Sequence, residues 1–259
     1  MNDSSAGRAV HEVLAAVLQV RDRQLQVLLW RRGLEPEAGR WALPGGRLGD
    51  AEDVQASVLR QLAEKVDLRE VAHVEQLEVF SAPDRMPGRR TVATAFLGLV
   101  PCGADPSLPG DTAWHPVAGA LQEAPSTAFD HGPIVRRARN RLRAKLSYTN
   151  LGFALAPPEF TVSGLRELYS AALGHRVSAT NLQRVLTRRG VLIPTGGTAA
   201  PGPSGGRPAA LYRFAERDIR VTDPFAVLRP PEVRQAPAAA LQVRTVGEPL
   251  QPADPPGSS

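Results

Sequence analysis

The sequence predicts an α+β protein in two parts, and three observations carry that prediction. Strand-length apolar runs fill most of the first hundred residues around one helical stretch. After Pro157-Pro158 the pattern turns to two short helices and two strands. Positive charge gathers in residues 131–190, which hold eleven Arg and Lys against Glu159 and Glu167, a net charge of +9. Apolar periodicity distinguishes helix from strand, and an acid-poor basic block points to a polyanionic partner.

Residues 12–20 and 24–31 read as strands joined by Arg21-Asp22-Arg23, a polar turn of hairpin length without the favoured Gly or Asn. Residues 33–40 are a loop, and WALPGGRLGDAED is a Gly/Pro-rich turn running into a helix over 52–66. Val54, Val58 and Leu62 recur every four residues there, beside Leu59 and Val66, and Asp50 or Asp53 supplies the cap. Residues 73–80 alternate like a half-buried strand, PDRMPGRR is a loop, and 91–100 form a strong strand. Residues 101–128 read as mostly irregular, and a long helix follows over 131–146. A helix then runs from 160 to Leu173, capped by Thr161 or Ser163 and stopped by Gly174. A second helix covers 178–189, with Leu182, Val185 and Leu186 inward, and Gly190 ends it. Residues 191–193 and 210–214 are strands around a glycine-rich stretch. Helix, turn, helix, strand, loop, strand is the order of a winged helix. The Pro/Ala-rich tail, 223–259, is expected to be disordered.

Composition narrows the function. The chain has 259 residues, 42% of them apolar and 22% charged, with a net charge of +5, which fits a folded chain and not a disordered one. No apolar run reaches the ~18 residues of a spanning helix, so no membrane partner is expected. MNDSSAGRAVHEV lacks a basic start followed by an apolar run, so the expected location is cytoplasmic. A single cysteine, Cys102, excludes an internal disulfide and a multi-cysteine zinc site. Only Lys65 and Lys145 are lysines; every other basic residue is arginine.

Gly46, Glu52 and then Arg60-Gln61-Leu62-Ala63-Glu64-Lys65-Val66-Asp67-Leu68 fall at the spacing G-x5-E-x7-R-E-U-x-E-E-x-G-U, with U an apolar residue. This resembles the Nudix box, and the preceding Trp41-Ala42-Leu43-Pro44-Gly45-Gly46 strengthens the match. The resemblance implies an α/β/α sandwich with a mixed sheet, in which three glutamates of the box helix hold divalent cations against a pyrophosphate. Here those positions are Gln61, Glu64 and Lys65, and the closing glycine is Asp67. Glutamine offers a neutral oxygen and lysine no acceptor at all, whereas a hard cation needs oxygen ligands. The expectation is therefore no metal, no cofactor and no catalytic residue, with Glu52, Arg60, Gln61, Glu64 and Lys65 as a degenerate box. Arg60 and Lys65 would help to neutralise a bound pyrophosphate; Arg60 is equally plausible as a structural partner of a helix carboxylate.

In the second part, the outer face of 178–189 carries Thr180, Asn181, Arg184, Thr187 and Arg188. Asparagine pairs with adenine, and arginine with guanine or phosphate, in a major groove. Gly205-Gly206-Arg207-Pro208 lies at the expected wing tip, where Arg207 suits a backbone or minor-groove contact. The basic run Arg136 to Lys145 is either a phosphate contact or a solvated helix face.

A degenerate Nudix domain followed by a winged helix resembles the Nudix-related transcriptional regulator (NrtR) family. Supporting segments are Phe129-Asp130-His131, Leu142 to Leu146, Phe153-Ala154-Leu155, Glu159-Phe160-Thr161, and Gly206-Arg207-Pro208 with Leu211 to Phe214. The resemblance runs over residues 10–215. It implies a homodimeric repressor of NAD biosynthesis or salvage genes that binds palindromic double-stranded operator DNA. It also implies ADP-ribose or a related NAD metabolite as effector. Met86 and Gly88 stand where relatives often carry Asp and Arg, so ligand preference is open to change.

The expected organisation is a ligand-sensing domain at 10–147, a DNA-binding domain at 148–222 and the tail. Expected ligand contacts are Arg40, Trp41, Gly46, Arg60, Glu64, Arg85 and Arg89. Expected DNA contacts are Arg143, Lys145, Thr180, Asn181, Arg184, Arg188 and Arg207. The helix 131–146 is the expected lever between them. Two rivals remain: an ADP-ribose-type pyrophosphohydrolase keeping Glu52 and Glu64 with an accessory nucleic-acid-binding domain, and a Nudix domain that only dimerises.

Overall fold

A computed structural model describes residues 9–117, 127–200 and 208–223. Its centre is strand β1 (Val10–Arg21), whose alternating side chains serve two layers. The first half of β1 pairs antiparallel with β4 (Gly45–Arg47) and the second half with β2 (Gln24–Arg31). The other edge of β1 pairs in parallel with β6 (Thr91–Leu99), which pairs antiparallel with β5 (His73–Phe80). Strands β3 (Trp41–Ala42) and β7 (Thr112–Pro116) add to β2. The sheet is mixed, as expected.

Val13, Ala15 and Val17 pack with Val58, Leu62 and Val66 of helix α1 (Val54–Val66). Leu14, Ala16 and Leu18 face the opposite way, toward Ile134, Val135, Ala138 and Leu142 of helix α2 (His131–Tyr148). This period-two division of one strand between two helices makes the α/β/α sandwich. Asp53 caps α1, its carboxylate accepting the Ala56 N–H at 2.7 Å. Leu59 stays exposed while Val58, Leu62 and Val66 are buried.

The hairpin turn is tighter than its residues suggest. Asp22 and Arg23 both take positive φ, 47° and 59°, the pair of conformations that a two-residue turn needs to match strand twist. The stretch 101–128, expected to be irregular, contains β7. Its five residues are held by a ladder to β2, a tertiary cause that leaves no local periodicity.

Beyond α2, helix α3 (Val162–Leu173) is capped by the Thr161 hydroxyl, which accepts the Gly164 N–H at 3.1 Å. Helix α4 (Ala179–Arg188) follows with Ser178 as its cap. Strands β8 (Phe160–Thr161), β10 (Ala210–Phe214) and β9 (Leu192–Thr198) form a three-stranded sheet in that order. The Gln183 amide donates to the Tyr212 hydroxyl at 2.9 Å, tying α4 to the wing. This is a winged helix-turn-helix. The wing-tip Arg207, and the expected tail at 223–259 save for Asp223, lie outside the described residues. No helix among the described residues is long and apolar enough to cross a membrane.

One apolar core runs through both parts. Leu142 and Leu146 of α2 belong to the same buried cluster as Leu165, Leu168, Leu182 and Phe214. The chain is therefore expected to unfold in one transition. Tryptophan fluorescence, which reads only Trp30, Trp41 and Trp114 of the sheet, and far-ultraviolet dichroism should give coincident denaturant midpoints. Leu142→Ala should lower both midpoints together, with a loss of stability of about 2–5 kcal/mol. Separate transitions would show two independent cores.

Candidate functional site

The box helix builds one wall of a cleft at the sheet's edge. The Glu52 carboxylate accepts both Nε (2.9 Å) and Nη2 (2.5 Å) of Arg60, and also the Gly49 N–H at 2.8 Å. The Arg60 bond, then the Gly49 bond, hold Glu52 down to about 2. Arg60 also donates to Glu64 at 2.9 Å. One guanidinium thus spans both remaining box carboxylates.

The two substituted positions converge on one carbonyl. Lys65 Nζ donates to the Gly45 oxygen and sits 4.9 Å from the centre of the Trp30 ring. Oriented by its neighbours, the buried Gln61 amide donates to the same oxygen at 3.3 Å and accepts from Arg60 at 3.3 Å. Gly46 permits this approach, since a Cβ there would fall 2.6 Å from the Gln61 amide. Burial and the neighbouring Arg32 charge push the Lys65 ammonium down from its usual range.

This donor set does not fit a divalent cation. The Gly45 carbonyl already faces an ammonium and an amide N–H, and Arg60 binds both carboxylates. A cation placed there would meet a like charge and compete for occupied acceptors. Among the described residues, no group of three His, Cys, Asp or Glu converges elsewhere.

The opposite wall is the start of α2, fastened at three successive residues. The Phe129 N–H donates to Glu37 at 2.8 Å. Asp130 receives Nε and Nη2 of Arg85 at 2.9 and 2.8 Å. His131 Nδ1 accepts the Leu43 N–H at 2.9 Å. Phe129 itself lies at φ 51°, a conformation a non-glycine side chain holds only when its surroundings impose it. Arg32 stacks 4.7 Å above its ring. Burial drives His131 down to about 3, so it is a neutral imidazole whose free proton sits on Nε2.

Between these walls lies a cavity of about 80 Å³, with Glu12, Trp30, Arg32, Lys65, Met86 and Phe129 among its lining residues. Of the residues expected to meet a ligand, Gly46 lines it. Arg60 and Glu64 lie on the outer side of α1, paired with each other. Arg85 is buried beneath, between Asp130 and Glu12, with its Glu12 bond at 2.5 Å. Its guanidinium holds the loop, β1 and α2 together and leaves little of itself for a ligand. Trp41 packs on the His115 ring, 4.3 Å between centroids. Arg40 pairs with Glu37 at 2.8 Å, and Arg89 is exposed. Arg32, Phe129 and His131 were missed as site residues. The Phe129-Asp130-His131 segment drew notice only as a family likeness, because its contacts lie some ninety residues away in sequence.

The winged helix sets out a second surface. Thr180, Asn181, Arg184, Thr187 and Arg188 are all exposed on α4, a helix with no acidic residue. Asn181 Oδ1 accepts Arg184 Nη2 at 2.8 Å. Arg143 and Lys145 are engaged elsewhere. Lys145 is ion-paired with Glu75 of β5, and Arg143 Nε donates to the Ala172 carbonyl at 3.3 Å.

The buried imidazole gives a pH signature. Its folded pKa lies below the unfolded 6.5, so the unfolded chain binds more protons and stability falls as pH drops from 6.5 toward 3. The limiting slope is about 1.4 kcal/mol per pH unit. Glu52 and Glu75, both lowered to about 2, begin to lose their stabilisation only below 4.5. Denaturation at pH 6.5 and 4.5 should therefore show a loss that His131→Gln reduces, with a remainder from His115, which burial also pushes down. An unchanged slope in the variant would mean that His131 is not held neutral.

A family model described as the NrtR DNA-binding winged helix domain matches residues 152–214, and a NUDIX domain model matches residues 10–138. The chain is 32% identical over 208 residues to the ADPR responsive transcriptional repressor NtrR of Acinetobacter baylyi, covering 78% of this chain and 81% of that protein. The crystal structure of Shewanella oneidensis NrtR superposes with a TM-score of 0.68 at 32% identity, over 79% of this chain and 94% of that one. The same protein complexed with a 27mer DNA gives a TM-score of 0.67 at 31% identity, over 78% and 92%. With a box-bearing sandwich and a winged helix in the same order and on one connecting helix, this chain belongs to the NrtR family of Nudix-related regulators.

Proposed function

We propose that the protein is a DNA-binding transcriptional repressor of NAD biosynthesis or salvage genes, and that its Nudix cleft senses ADP-ribose or a related NAD metabolite without cutting it. Residues 10–147 are the sensing domain and residues 148–222 the DNA-binding domain. It acts as a homodimer in the cytoplasm, its two-fold symmetry matching a palindromic operator. The observation that carries this reading is the pair Lys65 and Gln61 on the Gly45 carbonyl. A fixed ammonium stands where a hydrolase needs a carboxylate-bound cation, so it offers charge to a pyrophosphate but neither a Lewis acid nor an activated water. The names of the Acinetobacter and Shewanella relatives, one ADPR responsive and one complexed with DNA, support the same reading.

The cleft suggests how binding reaches DNA. A cavity of about 80 Å³ is far below the roughly 300–1,000 Å³ typical of small-molecule sites. A nucleotide must displace part of the lining, and Phe129 and His131 are the start of α2. Movement there passes along α2 into the core shared with α3 and α4. A ligand shifts DNA affinity only by its unequal affinity for the two arrangements, ~1–3 kcal/mol in typical allosteric pairs.

An anisotropy titration on DNA from upstream of the host's NAD genes should show specific binding that ADP-ribose weakens about 5–150-fold. No AMP should be released in Mg²⁺ or Mn²⁺. Rapid hydrolysis with sequence-blind, salt-sensitive DNA binding would overturn the proposal in favour of the hydrolase reading.

On the DNA side, Arg184→Ala should cost ~1–3 kcal/mol against the specific site while leaving the effect of ADP-ribose on Trp30 fluorescence intact. Equal loss on specific and random DNA would make Arg184 a backbone contact only.

A further inference from the structure

The basic run on α2 is two stripes with different fates. Arg137, Arg141 and Lys145, four residues apart, face β5 and share two of its carboxylates there. Arg137 pairs with Glu78 at 3.4 Å, and Arg141 and Lys145 both pair with Glu75. Arg136, Arg139 and Arg143 lie on the other side of the helix. Among the described residues, Arg139 and Arg143 have no carboxylate partner. They stand one turn apart and half-buried, and Arg139 is disfavoured as a cation by burial and by the charges of Arg143 and Arg136.

Both guanidiniums face a hollow of about 280 Å³ between the sheet, α2 and α3. Arg23, from the β1–β2 turn, completes a set of three around a floor of Leu25, Val117 and Ala171, and no described lining residue is acidic. Arg23 does meet Glu167 at 3.3 Å, but the Arg23 side chain is 79% exposed and such a pair is weak. Arg143 is placed with care: a Cβ on Gly174 would fall 2.1 Å from its Nη2, and Gly174 holds φ 77°. The Nε–H of Arg143 is used on the Ala172 carbonyl, and its guanidinium lines the hollow. Like charges gathered with no carboxylate among the described lining residues of a concave, part-apolar site are destabilising alone and favourable around an anion, and the guanidinium fork suits phosphate oxygens.

We propose that this hollow is a second ligand site, distinct from the Nudix cleft, that binds the phosphate groups of a small phosphorylated metabolite. The anion bridges Arg23, Arg139 and Arg143 at the joint where the sheet and α2 meet α3. Its occupancy therefore bears on the placement of the DNA-binding helices.

Inorganic tripolyphosphate is the probe. In calorimetry on the full chain at 150 mM salt, Arg139→Gln/Arg143→Gln should bind it at least about tenfold more weakly than wild type. Because that variant can fail to fold, arginine modification by phenylglyoxal, read by mass spectrometry, is run on the wild type. Tripolyphosphate should protect Arg139 and Arg143. Absence of binding, equal affinity in the variant, or protection confined to other arginines would overturn the proposal. Protection of the two by duplex DNA but not by tripolyphosphate would overturn it too, and would make them a contact to the DNA backbone.

Discussion

Everything that joins the two halves of this chain depends on how the entry to α2 is fastened. Phe129, Asp130 and His131 are each tied to a different element by Glu37, Arg85 and the Leu43 N–H. Arg85 is the strictest of these constraints, because its buried guanidinium answers two carboxylates and loses its desolvation balance if either is removed. The same turn forms a wall of the cleft, and the same helix supplies side chains to the core of the winged helix. The cleft and the core of the winged helix thus share one packed element rather than being joined by a linker.

The substituted box gains its meaning from that arrangement. In a hydrolase the carboxylates of the helix would gather metal. Here Arg60 gathers the carboxylates and Lys65 fills the space with its own charge. The helix keeps its packing, through Val58, Leu62 and Val66, while its polar face carries a different set of charges. Fold and chemistry are separable on an amphipathic helix because the two faces answer to different constraints.

What was legible in the sequence follows the range of the contacts. Helices α1, α3 and α4 and the four main strands announce themselves through periodicity and caps, all local signals. Strands β3, β4 and β7 do not, since two to five residues carry no period and their state is set by partners in β1 and β2. The box was legible by spacing, and its departures by charge. Arg85 looked like a ligand contact because a loop arginine near a box invites that reading. Its partners lie 73 and 45 residues away, and only the folded chain brings them to it. The basic run of α2 reads from sequence as a phosphate contact or a solvated face, because the acids of β5 that pair one stripe of it lie some sixty residues away.

If cleft occupancy and DNA binding are linked through the start of α2, that linkage is reciprocal. The most direct measurement is the affinity for ADP-ribose with and without saturating operator DNA, in the wild type and in Asp130→Asn. DNA should weaken ADP-ribose by the same factor by which ADP-ribose weakens DNA. Asp130→Asn, which loosens the Arg85 tie, should shrink that factor while leaving each separate binding event in place. An affinity for ADP-ribose that is indifferent to DNA in the wild type would contradict the linkage.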